Sequence, residues 1–115
     1  MKEGTEFAIL TDEITNAWAG LKTKQYKELK GLKKENLRDN MTNLELVLNM
    51  LAETATTEIS HKKKPKFFSD NKSVAKEGGT IAGNARKQIE KKIGRKIVTK
   101  SNFLPKNNKR TKYFQ

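Results

Sequence analysis

No cysteine occurs among the 115 residues, which excludes disulfides, thiolate nucleophiles and cysteine-ligated zinc. The single histidine, His61, excludes a multi-histidine metal site and leaves one side chain able to act as a base near neutral pH. Apolar residues make up 34% of the chain, against roughly 45–50% in an ordinary globular domain, and no uninterrupted apolar run exceeds a few residues. A membrane-spanning helix is therefore not expected. The stretch Met1-Lys2-Glu3-Gly4-Thr5-Glu6 is polar and acidic, unlike a secretory leader, and the expected location is cytoplasmic.

Catalytic patterns are equally scarce. Glu53 and Glu58 are the nearest pair of carboxylates in an apolar setting, but a spacing of five puts them on different faces of a helix. Neither HExxH nor an EF-hand loop occurs. Gly78-Gly79-Thr80-Ile81-Ala82-Gly83 has neither the GxxxxGK[ST] order of a phosphate-binding loop nor the GxGxxG spacing, and no strand pattern precedes it. His61 stands alone and reads as a solvated linker residue. The expectation is a non-enzymatic protein with no cofactor and no metal, whose work is binding.

What the chain has in abundance is positive charge, unevenly placed. The formal net charge is +12. Residues 1–60 carry 8 Lys and Arg against 10 Asp and Glu, a net of −2. Residues 61–115 carry 17 against 3, a net of +14. A field of that sign attracts polyanions and speeds encounter with nucleic acid; the plain alternative is a solubilising face and tail.

Apolar periodicity predicts four or five helices. Phe7, Leu10, Ile14, Ala17 and Trp18 define a first helix capped by Thr5 and stopped at Gly20, with Trp18 a core anchor. Tyr26 and Leu29 mark a second, from Thr23 to Lys30, and Leu37 a short third, from Lys33 to Asn40. The lysines of this region, with Arg38, form either a secondary phosphate-contacting patch or a solvated face. Thr42-Asn43-Leu44-Glu45 is a capping box, preceded by Met41 in the position of a hydrophobic staple. The helix it opens, through Leu44, Val47, Leu48, Met50, Leu51, Ala55 and Ile59, is apolar enough around its circumference to be buried from more than one side or to form a dimer interface. Residues 61–68 read as a basic linker in which Phe67 and Phe68 either stack bases or pin the linker to the core; pinning is the favoured reading. The last helix, from Ser69 to Lys92 with Ser69 or Asp70 as cap, carries a stripe of Val74, Ile81, Ala82, Ala85 and Ile89. Its three glycines signal a break, a kink or a close helix–helix approach. Gly94 suits its stop.

The architecture expected is a small all-α bundle over residues 1–104, followed by a basic, flexible tail over 105–115. The candidate phosphate contacts are Lys62, Lys63, Lys64, Lys66, Arg86, Lys87, Lys91, Lys92, Arg95 and Lys96, with Arg86, Lys87, Lys91 and Lys92 expected to project opposite Ile81, Ala85 and Ile89. Phosphate contacts carry little sequence information, so poor sequence specificity is expected.

The order of several motifs resembles a known family. Glu6-Phe7-Ala8-Ile9-Leu10, Trp18-Ala19-Gly20-Leu21, Lys30-Gly31-Leu32-Lys33-Lys34, Met41-Thr42-Asn43-Leu44-Glu45-Leu46, and Gly83 with Arg86 and Ile89 before Gly94 resemble the C-terminal portion of the DNA-damage-inducible protein D family. The same tail follows BRO-type domains in phage antirepressor-like proteins. The likeness spans about residues 3–104. Where the family has Gly-Gly-x-Met-Pro after its last helix, this chain has Gly94-Arg95-Lys96-Ile97-Val98. The resemblance implies an excised C-terminal module of an SOS-response protein, one that modulates a strand-exchange recombinase or its filament on single-stranded DNA. It implies no catalytic residues. The alternative is a structural or oligomerisation module of an antirepressor-like regulator, with a possible homodimer.

Overall fold

Four α-helices and one 3-10 turn account for the regular structure in the computed structural model, which describes residues 3–101 and the side chains of 5–101. They are α1 (Glu3–Ala19), α2 (Thr23–Leu29), α3 (Asn43–Lys63) and α4 (Phe68–Ile93), with the 3-10 turn at Arg38–Asn40. No strand occurs among the described residues. The class is all-α, as the periodicity indicates. The expected tail at 105–115 lies outside the described residues.

The helix boundaries have local causes. The Glu45 amide donates to Thr42 Oγ1 at 3.3 Å, and the Thr42 amide donates back to Glu45 Oε1 at 2.8 Å, closing the capping box that opens α3. Gly20 and Gly94 follow α1 and α4 with φ of +82° and +74°, the left-handed turn that releases a helix without Cβ strain.

Several expected boundaries are corrected. α1 starts at Glu3, so Thr5 lies inside it rather than capping it. The helix expected over Lys33–Asn40 shrinks to the 3-10 turn. There Glu35 Oε1 accepts the Lys33 amide at 2.7 Å and Asn36 Oδ1 accepts the Asp39 amide at 3.2 Å, local bonds that compete with helical ones. α3 runs on through Lys63, so His61 lies in its last turn and the linker is only residues 64–67. Cationic side chains in a last turn complement the helix dipole, which favours this extension. α4 starts one residue ahead of Ser69, with Phe67 at its cap and no side-chain capping bond.

α4 is unbroken across Gly78, Gly79 and Gly83; the glycines mark contact rather than a kink. A Cβ on Gly79 would lie 2.6 Å from Ala17 Cβ and 2.7 Å from the Ile14 carbonyl oxygen. One on Gly83 would lie 2.6 Å from the Ala17 carbonyl oxygen, and one on Gly78 2.6 Å from the Thr56 amide nitrogen. The buried Thr56 hydroxyl occupies the space a side chain at 78 would take, and it has no hydrogen-bond partner among the described residues. The backbone of α4 thus rests directly on α1 and on α3. Ile14 and Ala17 meet Gly79 while Trp18 meets Gly83, so α1 and α4 run parallel. The short linker folds α3 antiparallel to both.

Trp18, Tyr26, Leu48, Ala52, Ala82 and Ile97 form the centre of the core. The Trp18 indole donates to Asn49 Oδ1 at 3.1 Å, tying α1 to α3. Three expected apolar faces are corrected. Phe7 is 72% exposed and Ile81 47%, because the α1–α4 seam is made by small residues and these larger ones fall outside it. α3 is not buried all round either: Val47, Met50 and Leu51 lie on its open face, opposite Leu48 and Ala52. α1 and α4 pack against its inner face, and α2 and the segment around Thr99 reach only its first turn, at Glu45.

The seam yields a sign reversal. Helix propensity alone makes Gly79→Ala stabilising by about 1 kcal/mol. Backbone overlap with Ile14 and Ala17 instead makes it destabilising, by about 2 kcal/mol or more, in urea unfolding followed by circular dichroism. A gain in stability would show that the helices are not in backbone contact.

Candidate nucleic-acid interface

α4 carries six Lys and Arg against three Asp and Glu. Two of the acids are committed internally. Glu77 Oε2 pairs with Lys63 Nζ at 2.9 Å, and Glu90 Oε1 with Arg86 Nη1 at 3.0 Å. Lys72, Lys76, Lys87 and Lys91 are exposed and make no ion pair among the described residues. At 100° per residue, these four fall with Ser69, Ser73, Thr80 and Asn84 in one arc that holds no exposed carboxylate. Glu90, at the angular edge of the arc near its Lys91 end, is partly buried and turned to Arg86. From Lys72 to Lys91 the arc runs about 28 Å along the helix at 1.5 Å per residue.

Of the ten expected contacts, nine are exposed: Lys62, Lys63, Lys64, Lys66, Lys87, Lys91, Lys92, Arg95 and Lys96. They do not form one cluster. Lys62, Lys63, Lys64 and Lys66 surround the linker at the start of α4, whereas Lys91, Lys92, Arg95 and Lys96 lie at its far end. A 26-residue helix separates them, about 39 Å. Arg86 departs from expectation. Its Nε–H donates to the Trp18 carbonyl at 2.7 Å, and its Nη1 is held by Glu90, so it caps the end of α1 instead of facing solvent. Lys72 and Lys76 are additions to the expected set. Their signal is the four-residue spacing 72, 76, 80, 84, in phase with 87 and 91, whereas sequence counting favours dense runs such as Lys62-Lys63-Lys64.

The far basic end is held by the segment after Gly94, which crosses the mouth of the bundle as a strap. Ile97 is 2% exposed and plugs the core. Its amide donates to Glu90 Oε2 at 3.0 Å. Burial works against the Glu90 carboxylate, but the Ile97 amide and the Arg86 guanidinium outweigh it and hold its pKa below the ordinary value. Next along, Lys30 Nζ donates to the Thr99 carbonyl at 2.7 Å and also to that of Ser101. Lys30 pairs at 2.8 Å with Glu45 Oε1, both side chains being fully buried. The Tyr26 hydroxyl donates to Glu45 Oε2 at 2.5 Å, and the Thr99 amide donates to the same oxygen at 3.4 Å. One carboxylate therefore caps α3, holds α2 through Tyr26, and, with Lys30, fixes the strap. Removing one partner of such a buried pair leaves an uncompensated charge and costs about 3–5 kcal/mol. The strap places Arg95, Lys96 and Lys100 at the same end as α2 and its lysines.

Among the described residues no group of three His, Asp or Glu side chains is placed to hold a metal ion, and no helix is long and apolar enough to cross a membrane. The concave features are shallow. One, of about 370 Å³, lies beside the α3–α4 linker and includes Phe67, which is 69% exposed. The expectation that Phe67 pins the linker to the core is thus corrected: Phe68, the first residue of α4, is half-buried, and Phe67 faces out. No protein-family model, no curated protein and no solved structure matches the chain.

The Tyr26–Glu45 contact has a consequence at high pH. Burial, followed by the bond to Glu45 and its charge, raises the Tyr26 pKa far above its usual 10.0. The folded state therefore holds the phenolic proton more tightly than the unfolded chain does. That contribution is complete below about pH 10 and is lost as pH rises further. Denaturation midpoints should fall steeply above pH 10 in the native protein and less so in Tyr26→Phe. Equal slopes would show that the phenol is not buried against the carboxylate.

Proposed function

We propose that this chain is a non-catalytic binding module that engages nucleic acid through its phosphates, with low sequence specificity. The observation that carries the reading is the arc of Lys72, Lys76, Lys87 and Lys91 on α4, free of exposed acids and flanked by basic groups at both ends. An arc of about 28 Å spans several consecutive phosphates of a single strand, and each neutralised phosphate releases condensed counterion. Asn84, exposed on the arc, supplies a neutral amide donor that suits phosphate or sugar oxygens. The resemblance to the DNA-damage-inducible protein D family supports a setting in the cytoplasmic SOS response, with single-stranded DNA or a recombinase bound to it as the partner.

A second reading rests on a different observation. Val47, Met50 and Leu51 are 59%, 47% and 38% exposed on the open face of α3. Contiguous apolar groups on a helix favour association, which supports an oligomerisation module of an antirepressor-like regulator.

Binding to a labelled single strand across a salt series tests the first reading. Log affinity should fall linearly with log salt, and replacing Lys72, Lys76, Lys87 and Lys91 by Gln should reduce the slope by about 0.7 for each lysine replaced, or about 3 in all. Affinity indifferent to salt, or to the four substitutions, overturns it. Sedimentation over a range of concentrations tests the second. Self-association abolished by Val47→Glu, in a protein with no affinity for nucleic acid, would favour that reading over the first.

A further inference from the structure

The cleft beside the α3–α4 linker has the makings of a site distinct from the α4 arc. Its volume of about 370 Å³ falls at the lower end of the range of small-molecule sites, about 300–1,000 Å³. Its walls include Lys63, Lys64, Lys66, Phe67, Asp70 and Glu77, and it meets the arc at Ser73. Phe67 is 69% exposed and, unlike the comparably exposed Phe7, it lines this cleft. Its apolar surface is therefore open to a ligand on a rim that carries cations.

The charges in the cleft are sorted by geometry. Lys63 Nζ is held by both Glu77 oxygens, at 2.9 and 3.1 Å, so these two neutralise each other at the cleft wall. Lys64 and Lys66 are exposed and unpaired among the described residues. Lys64 is the one described non-glycine residue with positive φ, at 50°. Glycine or asparagine closes a helix in that conformation at less cost. A lysine there retains a cation at the point where the chain turns into the cleft. Asp70, in the first turn of α4 where the helix dipole favours an anion, also lines the cleft and offers a carboxylate acceptor. An exposed ring, two unpaired cations and an acceptor in one cleft match the three parts of an unpaired nucleotide: a base to stack, a phosphate to neutralise, and a base-edge N–H to accept from.

We infer that this cleft binds an unpaired nucleotide of a single strand, with the base stacked on Phe67 and its phosphate on Lys64 and Lys66. The inference deepens the nucleic-acid reading and rests on it: the α4 arc supplies non-selective phosphate contact, and the cleft supplies preference for a strand whose bases are free. A paired base has no face available to Phe67, so a blunt duplex can use the arc but not the cleft.

Fluorescence anisotropy with a labelled oligothymidylate and with a blunt duplex of the same length separates the two parts. Phe67→Ala and Phe67→Leu should each weaken single-strand binding by about tenfold, within the range typical of removing a base–aromatic stack, and leave duplex binding unchanged. Phe67→Trp should retain or tighten single-strand binding. Because Phe67 is mostly exposed, all three variants should keep the helicity and the Trp18 emission of the parent. Single-strand binding that survives Phe67→Ala, or a loss equal for both ligands, overturns the cleft while leaving the α4 arc standing. A parent protein that binds neither ligand overturns the arc as well. A Phe67→Leu variant as good as the parent would show that apolar contact, not stacking, is at work, and overturns the base-binding assignment.

Discussion

Backbone contact along the glycines of α4 is the constraint on which the molecule is built. At Gly79 and Gly83 the helix lies against the backbone of α1, and at Gly78 against that of α3. Such contact fixes the rotation of α4 about its own axis, since no other face of that helix could approach two neighbours so closely. Gly78, Gly79, Ala82 and Gly83 are buried in the seam, while Lys72, Lys76, Lys87 and Lys91 on the same helix remain exposed beside it.

The end of the bundle depends on a different kind of interaction. Glu45 is fully buried and has more partners than any one role requires: Thr42 at the start of its own helix, Tyr26 from α2, Lys30, and the Thr99 amide of the strap. Two buried charges are costly to desolvate, and the cost is offset only where the remaining hydrogen-bonding capacity is filled. Here backbone carbonyls of Thr99 and Ser101 fill the capacity of Lys30. The network specifies where the chain beyond α4 must lie, and so carries Arg95 and Lys96 to the far end of the arc.

The proposed nucleic-acid reading assigns two scales of recognition to this arrangement. In it the arc and its basic ends supply long-range, salt-screened attraction without regard to sequence, and the cleft at the linker supplies contact through one ring and a few charges. The cleft lies at the Lys72 end of the arc, so in that reading one strand meets both. Val47, Met50 and Leu51 of α3 are exposed and are not among the residues that make the seam.

Much of the helical content is legible in the sequence because its causes are local. The capping box at Thr42–Glu45, the stops at Gly20 and Gly94 and the core role of Trp18 each depend on a few neighbouring residues. Less can be read where partners are distant. Ile97 sits in a segment too short to announce a helix or a strand, yet it fills the core because Glu90 and Lys30 hold its surroundings in place. Arg86 looks like its lysine neighbours in one dimension, but folding brings the Trp18 carbonyl within reach, and a guanidinium with that acceptor and Glu90 beside it turns inward. Hydrophobicity alone assigns Phe67 to the core, although only packing decides which of two adjacent aromatics is covered. Sequence by itself determined the class of fold, the excess of positive charge and the helices' main stops, because composition and short-range hydrogen bonding suffice for those. Tertiary structure alone decided which cations share a face and which are consumed internally, because that depends on how closely three helix backbones can approach.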